Sequence, residues 1–329
     1  DIESLSFGKK ADGTIELKDV EKRFGKHVVL HGLNFEIPQG KIFGVIGISG
    51  SGKTTLLRLI VGFYKPSKGN VLLNLPNSQK SPYLFSQYFG FATQDNSFYG
   101  DLTAEENVRF FGMLYGLSGD YLSSRVDDVL SVVELSDYGN FVARNLSGGM
   151  KRRLDLACAL VHDPSILILD EPTEDLDPIL RRGLLRLIKK INSLGTTIIF
   201  TTHVLSEAEY LCDTIAILSH QTVFTIGTSE DLKRIYKGGE EIHITLEDSS
   251  RYALYLKRLR KFKPKLIGGR LVIYVPRRGY AVKLLRKILS LVEKDGDRII
   301  YADIRRPSLS EVFTHIIEHA QNTEKKKRV

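Results

Sequence analysis

One short run narrows the choice of architectures for this chain more than any other: GISGSGKTT, Gly47 to Thr55, set between the apolar KIFGVIG and the segment KTTLLRLIVGF. Glycines at Gly47, Gly50 and Gly52 let the backbone curl tightly, so several amides can turn inward together. Leu56, Leu57, Ile60 and Val61 fall at helical spacing, so the loop opens into a helix whose N-terminal end adds a positive dipole. The preceding run is short, apolar and bounded, as a buried strand is. Strand, glycine loop and helix, with Lys-Thr at the helix start, is the arrangement that cradles a triphosphate. In that arrangement Ser49, Gly50, Ser51, Gly52 and Thr55 surround the phosphates. Lys53 sits between the β- and γ-phosphates, and Thr54 places its hydroxyl on Mg²⁺. Without those flanks the glycines would read only as a flexible turn.

Nucleotide chemistry needs a second half, and SILILDEPT supplies it. Asp170, at the end of a buried strand, can hold Mg²⁺ through water, and Glu171 is placed to orient and polarise an attacking water. Adjacent carboxylates can be a solvated turn, but four apolar residues before them and a helix start after them point to a site. His203, after IIFTT, can reach the γ-phosphate as a sensor; alone, such a histidine reads as an ordinary strand-end residue. SILILD, TTIIFTTH and TIAILS are continuous apolar runs, the pattern of strands buried on both faces of a parallel sheet. Between the first two lies a helix bounded by Asp177-Pro178 and Gly195. TIELKDVEKRF and LHGLNFEI alternate around a turn at Gly25 and Lys26. Residues 100–160 read as mostly helical, with Thr103 and Glu106 spaced as a capping box. The expected class is α/β, a doubly wound P-loop NTPase sheet.

NLSGGMKRR, upstream of ILILDEP, resembles the LSGGQ signature of ATP-binding cassette (ABC) proteins, and five motifs from residue 16 to about 235 follow that family's order. The resemblance implies an ABC ATPase domain over 15–238 with a helical subdomain at about 96–160, using ATP and Mg²⁺. Phe24 looks like the aromatic that stacks on adenine. Gln94 in FATQDN looks like the residue linking nucleotide to transport domain and, with Thr54 and Asp170, a neighbour of Mg²⁺. His203 is similar to the switch histidine, with Lys53 and Glu171 as its catalytic companions, and Asp177 to the D-loop aspartate. Leu146, Ser147, Gly148, Gly149 and Met150 would act in trans, on the γ-phosphate held by an opposite subunit. That implies a head-to-tail pair, and a chain that keeps both halves of the site points to a homodimer. Three departures stand out: Glu174 and Asp175 replace the family's small residues, Met150 replaces Gln, and the turn at Ser219 to Gln221 lacks a glycine.

The C-terminal part differs in composition. From Arg251 to Ser290 there are thirteen Lys and Arg and no Asp or Glu. Its strand, helix, two strands, helix, strand order predicts a small ferredoxin-like α+β domain over 239–320. Residues 1–14 read as a polar leader and 321–329 as a basic tail. RRPSLSEVFTHII resembles the PSLEDVF ending of ATPase subunits of drug-efflux-type exporters, whose membrane part is a separate polypeptide. That implies transmembrane permease partners and a place on the cytoplasmic face of the cell membrane. No stretch reaches the roughly 18 apolar residues that span a bilayer. Cys158 and Cys212 lack metal-site spacing and read as buried thiols. The basic stretch admits three readings: a solvated helical face, anionic lipid contact, or nucleic acid. The last belongs to a soluble ABC ATPase acting on nucleic acid or ribosomes, whose double cassettes, coiled coils or zinc modules are not visible in this sequence.

Overall fold

The computed structural model describes residues 14–74, 87–93, 95–235, 239–276, 279–305 and 308–314. The chain divides into two compact units, one running to Ser229 and one beginning at Glu230. That division falls ahead of the composition shift, because the helix Ser229–Ile235 groups with the strands that follow it.

In the first unit β1 (Ile15–Phe24) turns back at Gly25 into β2 (His27–Ile37). β3 (Ile42–Ile46) and α1 (Lys53–Ile60) follow, and then β4 (Lys68–Leu73), which pairs antiparallel with the other side of β1. The central sheet adds β5 (Phe89–Ala92), β6 (Ile166–Asp170), β7 (Thr197–Thr202), β8 (Thr214–Ser219) and β9 (Thr222–Gly227) in the order β5-β6-β7-β3-β8-β9. Only the β8–β9 pair is antiparallel. Every residue of β3, β6 and β7 is buried, which explains their unbroken apolar sequences. β7 lies between β6 and β3, so the C-terminal ends of three parallel strands open side by side. Crevices at such ends are where open α/β sheets bind ligands.

Between β5 and β6 stand α2 (Ala104–Leu114), α3 (Gly119–Val132) and α4 (Gly148–Leu160). The α2 start carries a capping box: Thr103 Oγ1 accepts from the Glu106 amide, and the Thr103 amide donates to Glu106 Oε2 at 2.8 Å. α5 (Pro178–Ser193) buries Leu184, Leu187, Ile188 and Ile191 on one face, and α6 (Leu205–Leu211) follows β7. The glycine-free β8–β9 turn is closed by His220 and Gln221 at φ of +48° and +68°, the two left-handed residues a type I′ turn requires. Their strain is offset by Ser219 Oγ at 2.8 Å from His220 Nδ1 and by the His31 amide donating to the Gln221 carbonyl.

The second unit starts with α7 (Ser229–Ile235), shared at its boundary with the first. It continues with β10 (Glu240–Leu246), α8 (Tyr252–Arg258), β11 (Lys265–Ile267), β12 (Arg270–Val275), α9 (Tyr280–Lys294) and β13 (Ile299–Arg305). Its strands pair antiparallel in the order β11-β12-β10-β13. Ile242, Ile244 and Ile273 from the sheet pack with Tyr255, Leu284 and Ile288 from the helices as a separate core. Residues 309–314 form a last helical turn, where the Ser308 amide donates to Glu311 Oε2 and the Glu311 amide to Ser308 Oγ. Among the described residues no helix is long and apolar enough to cross a membrane. The leader up to Gly13, Arg277, Arg278 and the basic tail lie outside the described residues.

Candidate nucleotide-binding site

Between β3 and α1 the loop depends on its glycines. A Cβ on Gly47 would stand 2.5 Å from Ser51 Oγ and 2.7 Å from the Leu218 carbonyl oxygen. Gly50 and Gly52 hold φ of +75° and +103°, which side chains rarely adopt. Lys53 opens α1 and is only 5% exposed. A buried ammonium is costly unless partnered, and this one donates to the carbonyls of Gly47 (3.0 Å) and Ile48 (3.3 Å) and lies 3.0 Å from Glu171 Oε1. Ser51 Oγ is buried without a hydrogen-bond partner among the described residues, so the loop keeps a donor for an oxyanion.

The ends of β6 and β7 face this loop. Both Asp170 oxygens accept hydroxyls, Oδ2 from Thr54 at 2.8 Å and Oδ1 from Thr201 at 2.6 Å. Glu171 turns away with φ of +49°, a left-handed conformation held by its amide donating to Thr201 Oγ1 at 3.0 Å. Its Oε2 lies 2.5 Å from His203 Nδ1, so one carboxylate bridges Lys53 and His203. Burial pushes the Glu171 carboxyl pKa up, but Lys53 and His203 outweigh it and hold the group below the usual glutamate range. Glu171 is thus an ionised acceptor at neutral pH, able to take a hydrogen bond from water.

These groups line a cleft of about 670 Å³. Ser49, Gly50, Gly52, Lys53, Thr54 and Thr55 come from the loop and helix start, Glu171 and His203 from the strand ends, and Val29, Ile48 and Glu174 complete the wall. Phe24, at the end of β1, is half exposed and set edge-on to Tyr64 with Lys22 Nζ 5.0 Å from its ring; it is not among the lining residues. Gln94 lies outside the described residues. Its neighbours are held by α4, where Arg152 donates to the Thr93 carbonyl and Asp155 Oδ1 accepts from the Ser97 amide at 2.9 Å and hydroxyl at 2.5 Å.

Residues 30–174 match the ABC transporter family. The chain is 34% identical over 232 residues to a linearmycin resistance ATP-binding protein of Bacillus subtilis, covering 70% of this chain and 75% of that protein. It is 31% identical to a daunorubicin resistance ATP-binding protein of Streptomyces coeruleorubidus over 309 residues, 93% of this chain and 96% of that one. A solved ATP-binding subunit of an ABC transporter superposes with a TM-score of 0.60 at 30% identity, covering 68% of this chain and 92% of that chain. A subunit of an ABC transporter complex from Clostridium perfringens gives 0.63 at 27% identity, over 74% and 96% of the two chains.

The chain belongs to the ABC transporter ATP-binding family.

As a member it is an ATPase that binds ATP. Leu146 to Met150, which resemble the ABC signature, do not line the cleft. Ser147 caps α4, its hydroxyl accepting from the Met150 amide at 3.3 Å, and both Ser147 and Gly148 are exposed with nothing within 4 Å of a Cβ on Gly148. Gly149 is buried and closely packed instead, since its Cβ would stand 3.0 Å from Leu180 Cδ2 and oblige that side chain to shift. Leu146 is buried and Met150 leans on the core. Asp177 caps α5, accepting from the amides of Ile179 (2.9 Å) and Leu180 (3.0 Å). Of the two departures beside it, Glu174 lines the cleft and Asp175 holds φ of +61°, where only glycine would be unstrained.

For Mg²⁺ the donor chemistry fits: Thr54 and Asp170 offer a hydroxyl and a carboxylate, hard oxygen ligands suited to an ion that also binds phosphate. Among the described residues no group of three or more His, Cys, Asp or Glu could hold a metal ion by itself. Thr201 fixes both Asp170 and Glu171 yet stands outside the sequence motifs. Its signal was the paired hydroxyls of FTTH, which read only as a β-prone strand end.

Proposed function

We propose that the chain is the ATP-hydrolysing motor of an exporter, working as a head-to-tail homodimer with separate permease subunits at the cytoplasmic face of the cell membrane. One observation carries this reading: Lys53, Glu171 and His203 are linked at the mouths of adjacent strands, while the exposed Ser147–Gly148 helix start lies outside their cleft. Helix starts bind anions through free amides. A second copy, turned head to tail, would bring its own Ser147 to the γ-phosphate that the first copy holds.

In this reading the triphosphate takes Lys53 for its β- and γ-oxygens and frees Glu171, which then accepts a hydrogen bond from the attacking water. His203 loses its contact with Glu171 and turns to the γ-phosphate. Thr54 and Asp170, the latter through water, would hold Mg²⁺ with Gln94 as the resemblance implies, and the ion would supply charge neutralisation at the phosphates. Phe24 reaches the adenine by closing from its position beside Tyr64. Loss of the γ-phosphate removes the contacts to Ser147 and loosens the pair, which converts bond cleavage into movement of the permease. Glu171→Gln is expected to bind ATP normally, trap an ATP-bound dimer and slow turnover by about 10²–10⁴-fold, the usual share of a general base. Wild-type turnover in that variant would remove Glu171 from its role.

The resistance proteins named above favour efflux, and the second aligns along almost the whole chain, C-terminal unit included. The order β11-β12-β10-β13 supports a ferredoxin-like reading of that unit, bounded at about 239–320. α8 and α9 share one core, and Lys257, Lys283, Arg286 and Lys287 on them are exposed. Such a layer suits anionic lipid, with each cation contributing about 1 kcal/mol near the surface. Vesicles with anionic lipid should capture the protein in a salt-sensitive way; equal capture by neutral vesicles, or tighter binding to RNA, would contradict it.

A further inference from the structure

Behind the cleft lies a carboxylate that the reaction as described does not use. Glu207, on α6, is 3% exposed and is not among the cleft-lining residues. Its Oε2 accepts from Thr173 Oγ1 and from Thr202 Oγ1, both at 2.8 Å. Its Oε1 lies 3.3 Å from Arg181 Nε, and the Arg181 Nη2 donates to the Leu176 carbonyl at 3.1 Å. Thr202 Oγ1 in turn accepts from the Val204 amide at 2.9 Å.

The sequence positions give these bonds their meaning. Thr173 follows Glu171 by two residues, Thr202 and Val204 flank His203, and Leu176 precedes Asp177. One buried carboxylate therefore ties together the turn that carries the water-activating glutamate, the strand end that carries the switch histidine, and the loop leading to the dimer-facing helix cap. A buried carboxylate is costly, and a hydrophobic residue of similar size would serve simple packing at least as well. What an apolar residue cannot do is fix two hydroxyls and a guanidinium at set distances. Glu171 needs such fixing, because its left-handed backbone persists only where its surroundings over-determine it.

We propose that Glu207 is a positioning residue for ATP hydrolysis, setting the spacing of Glu171 and His203 without touching the nucleotide. The proposal rests on the roles given to those two side chains. Misplacement of a reacting group by about 1 Å can lower the rate by about 10²-fold, so the effect falls on turnover and not on ATP binding, which the glycine loop and Lys53 supply.

The experiment measures kcat, KM and the affinity for a fluorescent ATP analogue in the full chain for Glu207→Ala and Glu207→Gln. Glu207→Ala is expected to lose about 10- to 100-fold in kcat while analogue affinity stays within about twofold. Glu207→Gln keeps an acceptor for both threonines and should regain most of that kcat, although the ion pair with Arg181 is gone. Should Glu207→Ala not fold, Thr202→Val, which removes one of the two hydroxyl bonds, takes its place with the same expected split. A folded Glu207→Ala with wild-type kcat, or equal losses in affinity and kcat without rescue by Gln, overturns the proposal. Glu171→Gln and His203→Ala are run alongside: full turnover in those variants defeats the reading of the site itself, whereas their loss beside an intact Glu207→Ala defeats this inference alone.

Discussion

The two compact units use charge in opposite ways. Up to Ser229 the decisive charges are buried and partnered: Lys53 on two carbonyls and Glu171, Asp170 between two threonines, Glu207 between two threonines and Arg181. From Glu230 onward most described cations stand exposed, and even where Arg251 and Arg258 meet Asp297 and Asp295 beside the buried Tyr255 the guanidinium side chains keep part of their surface in solvent. Buried charges demand specific partners, so each fixes a geometry. Exposed charges are individually weak and screened, so only their sum can matter. A one-atom change in the first unit should therefore be felt at once, whereas the second should yield only to several changes together.

The largest test of this contrast is Lys53→Ala. It removes the partner of Glu171 and the proposed phosphate ligand together, and should abolish hydrolysis and weaken nucleotide binding in filter or fluorescence assays; a purified variant with full activity would break the contrast at its strongest point. Next comes the triple replacement of Lys283, Arg286 and Lys287 by Gln. At about 1 kcal/mol per cation it should lower capture by anionic vesicles by about 10²-fold, while ATP turnover of the purified chain stays within about twofold. Loss of turnover there would mean that the exposed layer is not separable from the site.

Smaller effects sharpen the picture. The Glu171 carboxyl titrates lower in the folded chain than in an unfolded one. Its pairing therefore stabilises the fold above the usual glutamate range and is lost as pH falls through the folded value. Acid unfolding of Glu171→Gln should accordingly show a shallower loss of stability below that range, and an identical acid limb would count against the ion pairing. Asp177→Ala removes the cap of α5 and should cost about 1 kcal/mol in denaturant unfolding. Smallest is Asp175→Gly, which relieves a left-handed backbone and should raise stability by less than about 1 kcal/mol.

How much of this was legible follows the same division. The buried strands β3, β6 and β7 announce themselves as apolar runs, and the glycine loop, DE pair and His203 stand at their ends. β4 was not legible, because KGNVLL begins with Lys-Gly-Asn and holds no fully buried residue. Neither was β5, only four residues long and half glycine and alanine. The tertiary partners were hidden for a further reason: apart from Glu207 and Thr202, the groups that Thr201, Thr173 and Glu207 fix are far away along the chain, and no local pattern records such pairings. The signature glycines illustrate a mixed case, since the sequence treats Gly148 and Gly149 alike and only packing against Leu180 separates them.

The most direct measurement mixes two inactive chains. Lys53→Ala lacks the phosphate-gripping wall and Ser147→Arg lacks the signature wall, so each is expected to be inert alone. In a two-fold pair built head to tail, an equal mixture should recover up to about a quarter of wild-type ATP turnover, because half the pairs regain one intact pocket. A mixture as inactive as its components, or a Ser147→Arg chain that turns over ATP at full rate when dilute, would contradict the shared pocket.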